Sequence, residues 1–350
     1  MEILNLVRDG IEKNASDIHI TVGAPIIYRI NGKLVRSGEK IIPQQWAETL
    51  VKNMLNAHQL QELEDKGQLD VSYSASGLAR FRINIFKQRG SYCLAIRIIP
   101  LIIPSMEELG IPYIARELAF KPRGLVLVTG PAGSGKSTTL AAMIDLINRE
   151  KNYHILTLED PIEYLHKHKK SIVNQREIGS DSKSFSDALR SALRQDPDVI
   201  LVGEMRDLET IAIALTAAET GHLVLSTLHT LGAAKTIDRI IDIFPPNQQQ
   251  QIKIQFSSVI QGIISQQLLP RLDGNGRVAA FEVMIATPAI RNLIREDKNH
   301  QIDTVIQTGA QYSMQSFDNS LLDLYNKGLI GKETVLTHCM NPDIIRKHLY

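Results

Sequence analysis

The spacing of hydrophobic and polar positions changes near residue 100, which divides the chain into two parts. In residues 1–99, short segments alternate between apolar and polar side chains with a period of two, the pattern of half-buried β-strands. These segments are residues 17–36, 69–73, 79–87 and 92–99. Asn31-Gly32 is a typical hairpin turn within the first of them. Residues 43–64 instead follow a helical spacing, so a small α+β domain is predicted.

Prolines dominate the segment that follows. Pro100, Pro104 and Pro112 cannot lie within one continuous helix, because each proline lacks a backbone N–H and clashes with the preceding turn. Residues 100–115 are therefore predicted to be a linker, and residues 116–350 a second domain.

Short apolar segments alternate with helical ones in this second domain. The predicted strands are residues 125–129, 154–158, 199–202 and 223–227. The predicted helices are residues 137–148, 184–194 and 208–218. Such alternation is typical of a parallel sheet with helices on both faces, so the fold class is α/β. From Pro245 onward the pattern predicts mostly helix.

Composition and charge narrow the class of protein. The chain is 43% hydrophobic and 22% charged, as in soluble globular proteins, and its net charge of +1 does not favour a nucleic-acid partner. Its two cysteines, Cys93 and Cys339, cannot form a four-thiolate zinc site, and they fit a reducing compartment. The start of the chain lacks signal-peptide order, and no apolar run reaches 18 residues. A cytoplasmic protein without direct membrane insertion is expected.

One motif indicates the chemistry. Residues 130–137 match G-x-x-x-x-G-K-[ST] between a predicted strand and a predicted helix, the context that a phosphate-binding P-loop requires. Backbone N–H groups and the helix N-terminus would bind phosphate oxygens, with Lys136 on the β- and γ-phosphates and Ser137 on Mg²⁺. The predicted nucleotide-binding residues are Gly130, Gly133, Ser134, Gly135, Lys136, Ser137 and Thr138.

Carboxylates follow two of the predicted strands. The predicted strand at 199–202 is followed by Gly203, in the position where an aspartate is usual, and then by Glu204. Glu204 would polarise the attacking water or hold a metal-bound water. Glu159, Asp160 and Glu163 follow the strand at 154–158 and suit metal–water and proton management. For Asp160 alone, helix capping before a proline is an equal alternative.

Histidines and arginines provide further candidates. His222 and His229 lie at the two ends of one predicted strand, and His229, at the carboxyl end, is the stronger candidate for nucleotide sensing. Period-two alternation places Arg80 and Arg82 on one face of a strand, with Arg97 on the next strand. These arginines form either a solvated sheet face or a set of phosphate sensors that domain closure brings to the nucleotide.

Together these motifs resemble the type II/IV secretion ATPase superfamily, and within it the pilus-retraction (PilT-type) ATPases, over essentially the whole chain. The matching segments are ASDIHI, ARFRIN, GPAGSGKSTT, HILTLEDPIEY, NQREIG, DPDVILVGEMRD and TGHLVLSTLHT. Residues 289–296 resemble a segment of the retraction branch, and they separate this chain from its relatives better than the P-loop does.

The resemblance implies a PAS-like domain over residues 1–99, a RecA-like ATPase domain over residues 116–350 and a homohexamer. It implies ATP and Mg²⁺ as ligands, with the metal near Ser137, Glu159 and, through water, Glu204. The implied catalytic residues are Glu204, Glu163, His229, Arg82 and Arg97. The implied partners are an inner-membrane pilus platform protein and, indirectly, the pilin machinery, which places the protein at the cytoplasmic face of the inner membrane at the pilus base.

Three alternatives remain. A pilus-extension or type II secretion ATPase is disfavoured because such relatives usually carry a four-cysteine zinc insert, and this chain has two cysteines. A non-catalytic accessory retraction paralogue would show no ATPase activity alone. A nucleic-acid translocase is disfavoured by the balanced charge and the lack of interleaved aromatic and basic residues.

Overall fold

The computed structural model describes residues 2–30, 32–75, 79–99, 102–274 and 276–349. The chain divides into two compact units, Met1–Ile102 and Ile103–Tyr350. This division falls inside the segment predicted to be a linker. The last two residues of that segment, however, belong to the helix Ile114–Ala119, so the linker prediction extends too far.

In its described residues, the first unit is an antiparallel sheet with three helices. Its elements are α1 (Glu2–Glu12), β1 (Ala15–Ile20), β2 (Ile27–Ile30), β3 (Lys33–Arg36), α2 (Gln44–Met54), α3 (Ala57–Lys66), β4 (Gln68–Ala75), β5 (Ala79–Gln88) and β6 (Ser91–Ile99). The strand order is β3-β2-β1-β6-β5-β4. On β5, Phe81, Ile83 and Ile85 are fully buried, so the predicted period-two pattern is confirmed there.

Two details of this unit differ from the sequence prediction. The helix predicted over residues 43–64 is two helices, because Asn56 caps a new one: its side chain accepts from the Gln59 N–H, and Gln59 accepts from the Asn56 N–H. Helix α1 was not predicted. Asn31, part of the predicted hairpin turn, lies outside the described residues.

The second unit is built on a seven-stranded mixed sheet of order β13-β12-β7-β11-β10-β8-β9. Its elements are α4 (Ile114–Ala119), β7 (Gly124–Thr129), α5 (Lys136–Glu150), β8 (His154–Glu159), β9 (Ile172–Glu177), α6 (Phe185–Ala192), β10 (Val199–Val202), α7 (Leu208–Glu219), β11 (Leu223–Leu228), α8 (Ala233–Asp242), α9 (Pro246–Val259), β12 (Ile260–Pro270), β13 (Arg277–Ile285), α10 (Pro288–Arg295), α11 (Ile302–Thr308), α12 (Phe317–Asn326), α13 (Lys332–His338) and α14 (Pro342–Leu349).

The core of this sheet agrees with the prediction and its edges do not. The four predicted strands lie within β7, β8, β10 and β11, which run parallel, and β7 and β11 are buried along their whole length. The part from Pro245 onward is mostly helical, as predicted, but the prediction missed two strands within it. Strand β12 pairs parallel with β7, and β13 pairs antiparallel with β12. Strand β9 was also missed. Apolar stretches such as that of β12 have no decisive period, so periodicity alone cannot separate strand from helix.

Neither a membrane span nor a cluster of metal-binding side chains occurs in the described part of the chain. No helix there is both long enough and apolar enough to cross a bilayer. No group of three or more histidine, cysteine, aspartate or glutamate residues there has an arrangement that could hold a metal ion. Both cysteines are free thiols, with Cys93 buried and Cys339 half-buried.

Candidate active site

A cleft of about 460 Å³ opens at the carboxyl ends of the parallel strands in the second unit. Its walls come from the segments that follow β7, β8, β10 and β11, and from the first turns of α5. Ligands bind at this edge of open parallel sheets because the loops there diverge around a crevice. All the candidate site residues of the second unit except Gly130 and His222 line this cleft.

The loop between β7 and α5 has the backbone geometry of an anion site. Gly133 and Gly135 adopt φ angles of 75° and 89°, which favour glycine. Gly135 is the N-cap of α5 and has no side chain to bond the first N–H groups, which therefore stay available to a phosphate. Ser137 and Thr138 follow in the first turn, and the Thr138 hydroxyl lies 3.0 Å from the Tyr164 hydroxyl.

Lys136 is buried within this loop. Its ammonium donates to the carbonyl oxygens of Gly130 at 2.9 Å and Pro131 at 3.0 Å. An ammonium has three N–H donors, so one remains for a phosphate oxygen. Burial lowers the pKa of Lys136, and the negative charges of Glu163 and Glu204 act in the opposite direction. The cationic form is therefore supported by carboxylates that line the same cleft.

Glu204 lies at the end of β10 with 12% of its side chain exposed. Its carboxylate is 2.6 Å from the Arg206 Nε and 3.4 Å from the His229 Nε2. Gly203, before it, donates its N–H to the Leu158 carbonyl at 2.7 Å. A Cβ at residue 203 would lie 3.1 Å from that carbonyl oxygen, so the backbone packing leaves little room for an aspartate there.

The acidic segment that begins with the last residue of β8 lines the same cleft as Glu204. Glu159 accepts from the Thr157 hydroxyl at 2.6 Å and from the Gln175 amide at 3.1 Å. Burial raises the pKa of the Glu159 carboxyl, which helps it hold a proton. Glu163 and Asp160 also line the cleft. The helix-capping alternative for Asp160 is wrong, because no helix lies between β8 and β9.

The two candidate histidines lie at opposite ends of β11. His229 follows β11 at its carboxyl end, lines the cleft beside Glu204 and has 54% of its side chain exposed. His222 precedes β11, at the opposite edge of the sheet, and its Nδ1 lies 3.0 Å from the Ala217 carbonyl oxygen. His222 is not among the residues that line the cleft.

The arginines of the first unit lie on one sheet face. Arg82 on β5 and Arg97 on β6 are direct cross-strand neighbours. Their side chains are 43% and 72% exposed. Arg82 pairs with Asp70 at 3.4 Å and Arg97 with Asp17 at 2.9 Å, which offsets the repulsion between two opposed cations. Within the first unit, this sheet face is a solvent-exposed surface on which each of these arginines pairs with an aspartate.

Several cleft residues were missed from the sequence. They are Tyr164, His166, Arg206, Leu268 and Arg277. Tyr164 and Arg206 lie inside segments already quoted as motifs, so their proximity to the acidic residues was a usable signal. Leu268 and Arg277 lie on β12 and β13, which the prediction took for helix, so no sequence signal connected them to the P-loop.

The donors in the cleft suit a magnesium nucleotide. Mg²⁺ prefers oxygen ligands and usually keeps several waters, bound through few protein groups and the substrate phosphates. Ser137 supplies a hydroxyl, and Glu159 and Glu204 supply carboxylates, all lining one cleft. The set fits a metal held mainly by phosphates and water.

Comparison with known proteins identifies the family. The family model described as "Type II/IV secretion system protein" matches residues 2–325. The chain belongs to this family. It is 49% identical to the type IV pilus retraction ATPase PilT of Pseudomonas aeruginosa over 343 residues, covering 98% of this chain and 99% of that one. It is also 49% identical to a twitching motility protein of Neisseria gonorrhoeae over 345 residues, covering 97% and 91%.

A solved structure agrees with this membership. The crystal structure of the pilus retraction motor PilT with bound ADP superposes with a TM-score of 0.92 at 51% identity, covering 99% of both chains. The type II/IV secretion family resemblance is thus confirmed, and so is the fold class, a RecA-like α/β domain preceded by a small α+β domain.

Proposed function

We propose that this protein is a hexameric ATPase motor that drives retraction of type IV pili. The observation that carries this proposal is the near-complete match in both directions to the PilT of Pseudomonas aeruginosa. The printed description of that protein is a pilus retraction ATPase, and no large segment of either chain is left unmatched. The protein is an ATPase, with the reaction located in the cleft of its second unit.

Binding of ATP uses the loop before α5. Backbone N–H groups of Gly130 and residues 132–138 surround the phosphates, and the free N–H of the Lys136 ammonium contacts the β- and γ-phosphates. Ser137, Glu159 and, through water, Glu204 would hold Mg²⁺, which would supply positive charge to neutralise the charge that develops on the phosphates. The ordered loop restricts the triphosphate to one orientation.

Hydrolysis depends on Glu204. Its largely buried carboxylate orients the attacking water and accepts its proton. His229, within 3.4 Å, reports on the occupant of the site and transmits its state to the loop that precedes α8. Glu163 supports the positive charge of Lys136 and orders water in the cleft. Burial raises the pKa of the Glu159 carboxyl, which also lines this cleft.

Arg82 and Arg97 supply the response to the γ-phosphate. Exposed ion pairs contribute little free energy, so both arginines can exchange a carboxylate for a phosphate at low cost. Closure of the first domain on a nucleotide would bring them to the γ-phosphate, and hydrolysis would release them. Successive closures around a ring of six would produce mechanical work.

The partners follow from this motor role. A homohexamer would act at the cytoplasmic face of the inner membrane, on the platform protein at the pilus base, and return pilin to the membrane. Neither nucleic acid nor direct membrane insertion takes part. Segment 289–296, which resembles the retraction branch, covers α10 from its second residue to its C-cap Glu296. Arg291 anchors this helix by donating to the carbonyl oxygens of Ser257 and Ser258.

Complementation of a deletion strain tests the proposal. Loss of the gene should leave surface pili in place and abolish twitching, and the wild-type chain should restore movement. The Lys136→Ala chain, expressed at the same level, should not. A deletion strain without surface pili would instead indicate an extension ATPase, and one with normal twitching would contradict the proposal.

A further inference from the structure

Strand β12 continues beyond the end of the strand that precedes the P-loop. The last residue of β7, Thr129, pairs with Ser265, and β12 then runs on to Pro270. Gln266 is therefore the first residue of β12 to lie beside the P-loop instead of beside a strand. Both Ser265 and Gln266 are buried, at 0% and 2% exposure.

The Gln266 side chain holds the P-loop at two points. Its Nε2 donates to the Ser134 carbonyl oxygen at 2.7 Å, and its Oε1 accepts from the Thr139 hydroxyl at 2.8 Å. Ser134 lies in the phosphate-binding loop and Thr139 in the first turns of α5. One buried amide thus fixes the loop relative to the helix whose N-terminus faces the cleft.

The glycines at the ends of the loop allow this close approach. A Cβ on Gly130 would lie 2.1 Å from the Gln266 carbonyl oxygen, a distance that no real side chain tolerates. A Cβ on Gly135 would lie 3.2 Å from the Gln266 Nε2. Two glycines of the motif therefore serve packing against β12 as well as phosphate binding.

Ser265, the residue before Gln266, contacts a second loop of the site, the one that begins at His229. It does so from the opposite face of the sheet. Successive strand residues point to opposite faces, and the Ser265 hydroxyl accepts from the Gly232 N–H at 2.9 Å. Glu282 lies on β13, where it pairs with Ser265 of β12, and it accepts from the Ala233 N–H at 2.7 Å. These two N–H groups end the short loop that begins at His229.

We propose that β12 positions both nucleotide-responsive loops, with Gln266 a positioning residue for the P-loop and Ser265 a positioning residue for the His229 loop. The proposal rests on the ATPase function and adds two residues to it. Because Gln266 acts on the loop that grips phosphates, its loss weakens nucleotide binding. Because Ser265 acts on the loop beside Glu204, its loss slows hydrolysis instead.

Two single variants of the full-length protein separate these effects. Gln266→Met keeps the side-chain length and removes both hydrogen bonds, so the Kd for ADP and the KM for ATP should each rise about 10-fold. Ser265→Ala should lower kcat about 5-fold and change KM less than about 2-fold. Gln267→Met, on the same strand and half-buried, is the matched control and should change neither.

Thr139→Val keeps the test decisive if Gln266→Met does not fold. It removes one of the two bonds and should raise the Kd for ADP about 3-fold at unchanged kcat. If Gln266→Met folds and its ADP affinity is unchanged, the proposal is overturned. If Gln266→Met does not fold, unchanged ADP affinity in Thr139→Val overturns it. The proposal would also be overturned if Ser265→Ala and Gln266→Met changed the same kinetic parameter. A wild-type chain without turnover would contradict the ATPase function, while ADP binding would still test Gln266.

Discussion

The cleft of the second unit and the arginine face of the first both present charged groups, but they hold them differently. In the cleft, Lys136 is fixed by two carbonyl oxygens and Glu204 is 12% exposed. On the sheet face, Arg82 and Arg97 are 43% and 72% exposed, and each has an aspartate partner of its own unit. One region is ordered before a ligand arrives, and the other is held by pairs that solvent weakens.

This difference assigns different tasks to the two regions. Buried groups that hydrogen bonds already hold in place lose little freedom on binding, so they provide affinity and a defined orientation for chemistry. Exposed ion pairs, typically contributing between zero and about 1 kcal/mol, exchange partners readily. We therefore expect substitutions in the cleft to cost far more activity than substitutions on the arginine face.

The largest effect is expected for Lys136→Ala. Removing the ammonium leaves the phosphate charge without its buried counterion, so ATP turnover should fall about 1,000-fold. Steady-state phosphate release measures this. Lys327→Ala, an exposed lysine in a helical pair with Asp323, should stay within about 2-fold of wild type. Equal losses of ATP turnover in the two variants would show that the Lys136 ammonium has no specific role in the reaction.

Stability should respond to pH through Glu282, a buried carboxyl behind the His229 loop. Burial raises its pKa to about 7, and Asp303 and Asp318 add to the effect. A raised folded-state pKa means stability that is complete below pH 4.5 and lost as the pH rises through about 7. Glu282→Gln keeps the acceptor for the Ala233 N–H without the charge. Above pH 7 it should therefore stabilise the fold by roughly 3 kcal/mol.

Urea denaturation at acidic and alkaline pH measures this difference. The advantage of Glu282→Gln over wild type should grow with pH, while exposed Glu333→Gln should show no such trend. An advantage independent of pH would mean that Glu282 does not carry the buried charge that we assign to it.

Glu204→Gln separates chemistry from binding within the cleft. The amide keeps the size of the side chain but cannot accept the proton, so kcat should fall about 100-fold while ADP affinity changes little. Glu209→Gln, an exposed glutamate paired with Arg190, is the control and should retain turnover. Undiminished kcat in Glu204→Gln would remove its assigned role.

The smallest effect is expected on the arginine face. Arg97→Ala should lower kcat about 10-fold through loss of contact with the γ-phosphate, with the melting temperature nearly unchanged. Arg29→Ala is a matched control, because Arg29 also pairs with Asp17, at 3.7 Å, but has no proposed phosphate role. If the two variants lose activity equally, the effect comes from freeing Asp17 and not from phosphate sensing.

The sequence predicted the parts of the site that local pattern determines. The P-loop, Glu204 and His229 follow short buried strands whose length and composition identify them, and the structure brings their side chains to one cleft. Gln266 and Arg277 were not predictable in the same way, since periodicity alone does not distinguish their strands from helices. Their place beside the P-loop depends on strand pairing between residues more than 100 positions apart, such as Thr129 with Ser265.

Equilibrium titration with ATP and magnesium tests the central claim most directly. Glu204→Gln, which should bind without rapid turnover, allows affinity to be measured before ATP is consumed. We predict saturable binding in the micromolar to millimolar range for this variant, and its loss when Lys136→Ala is added. Absence of saturable binding, or equal binding with and without the Lys136 ammonium, would contradict the account.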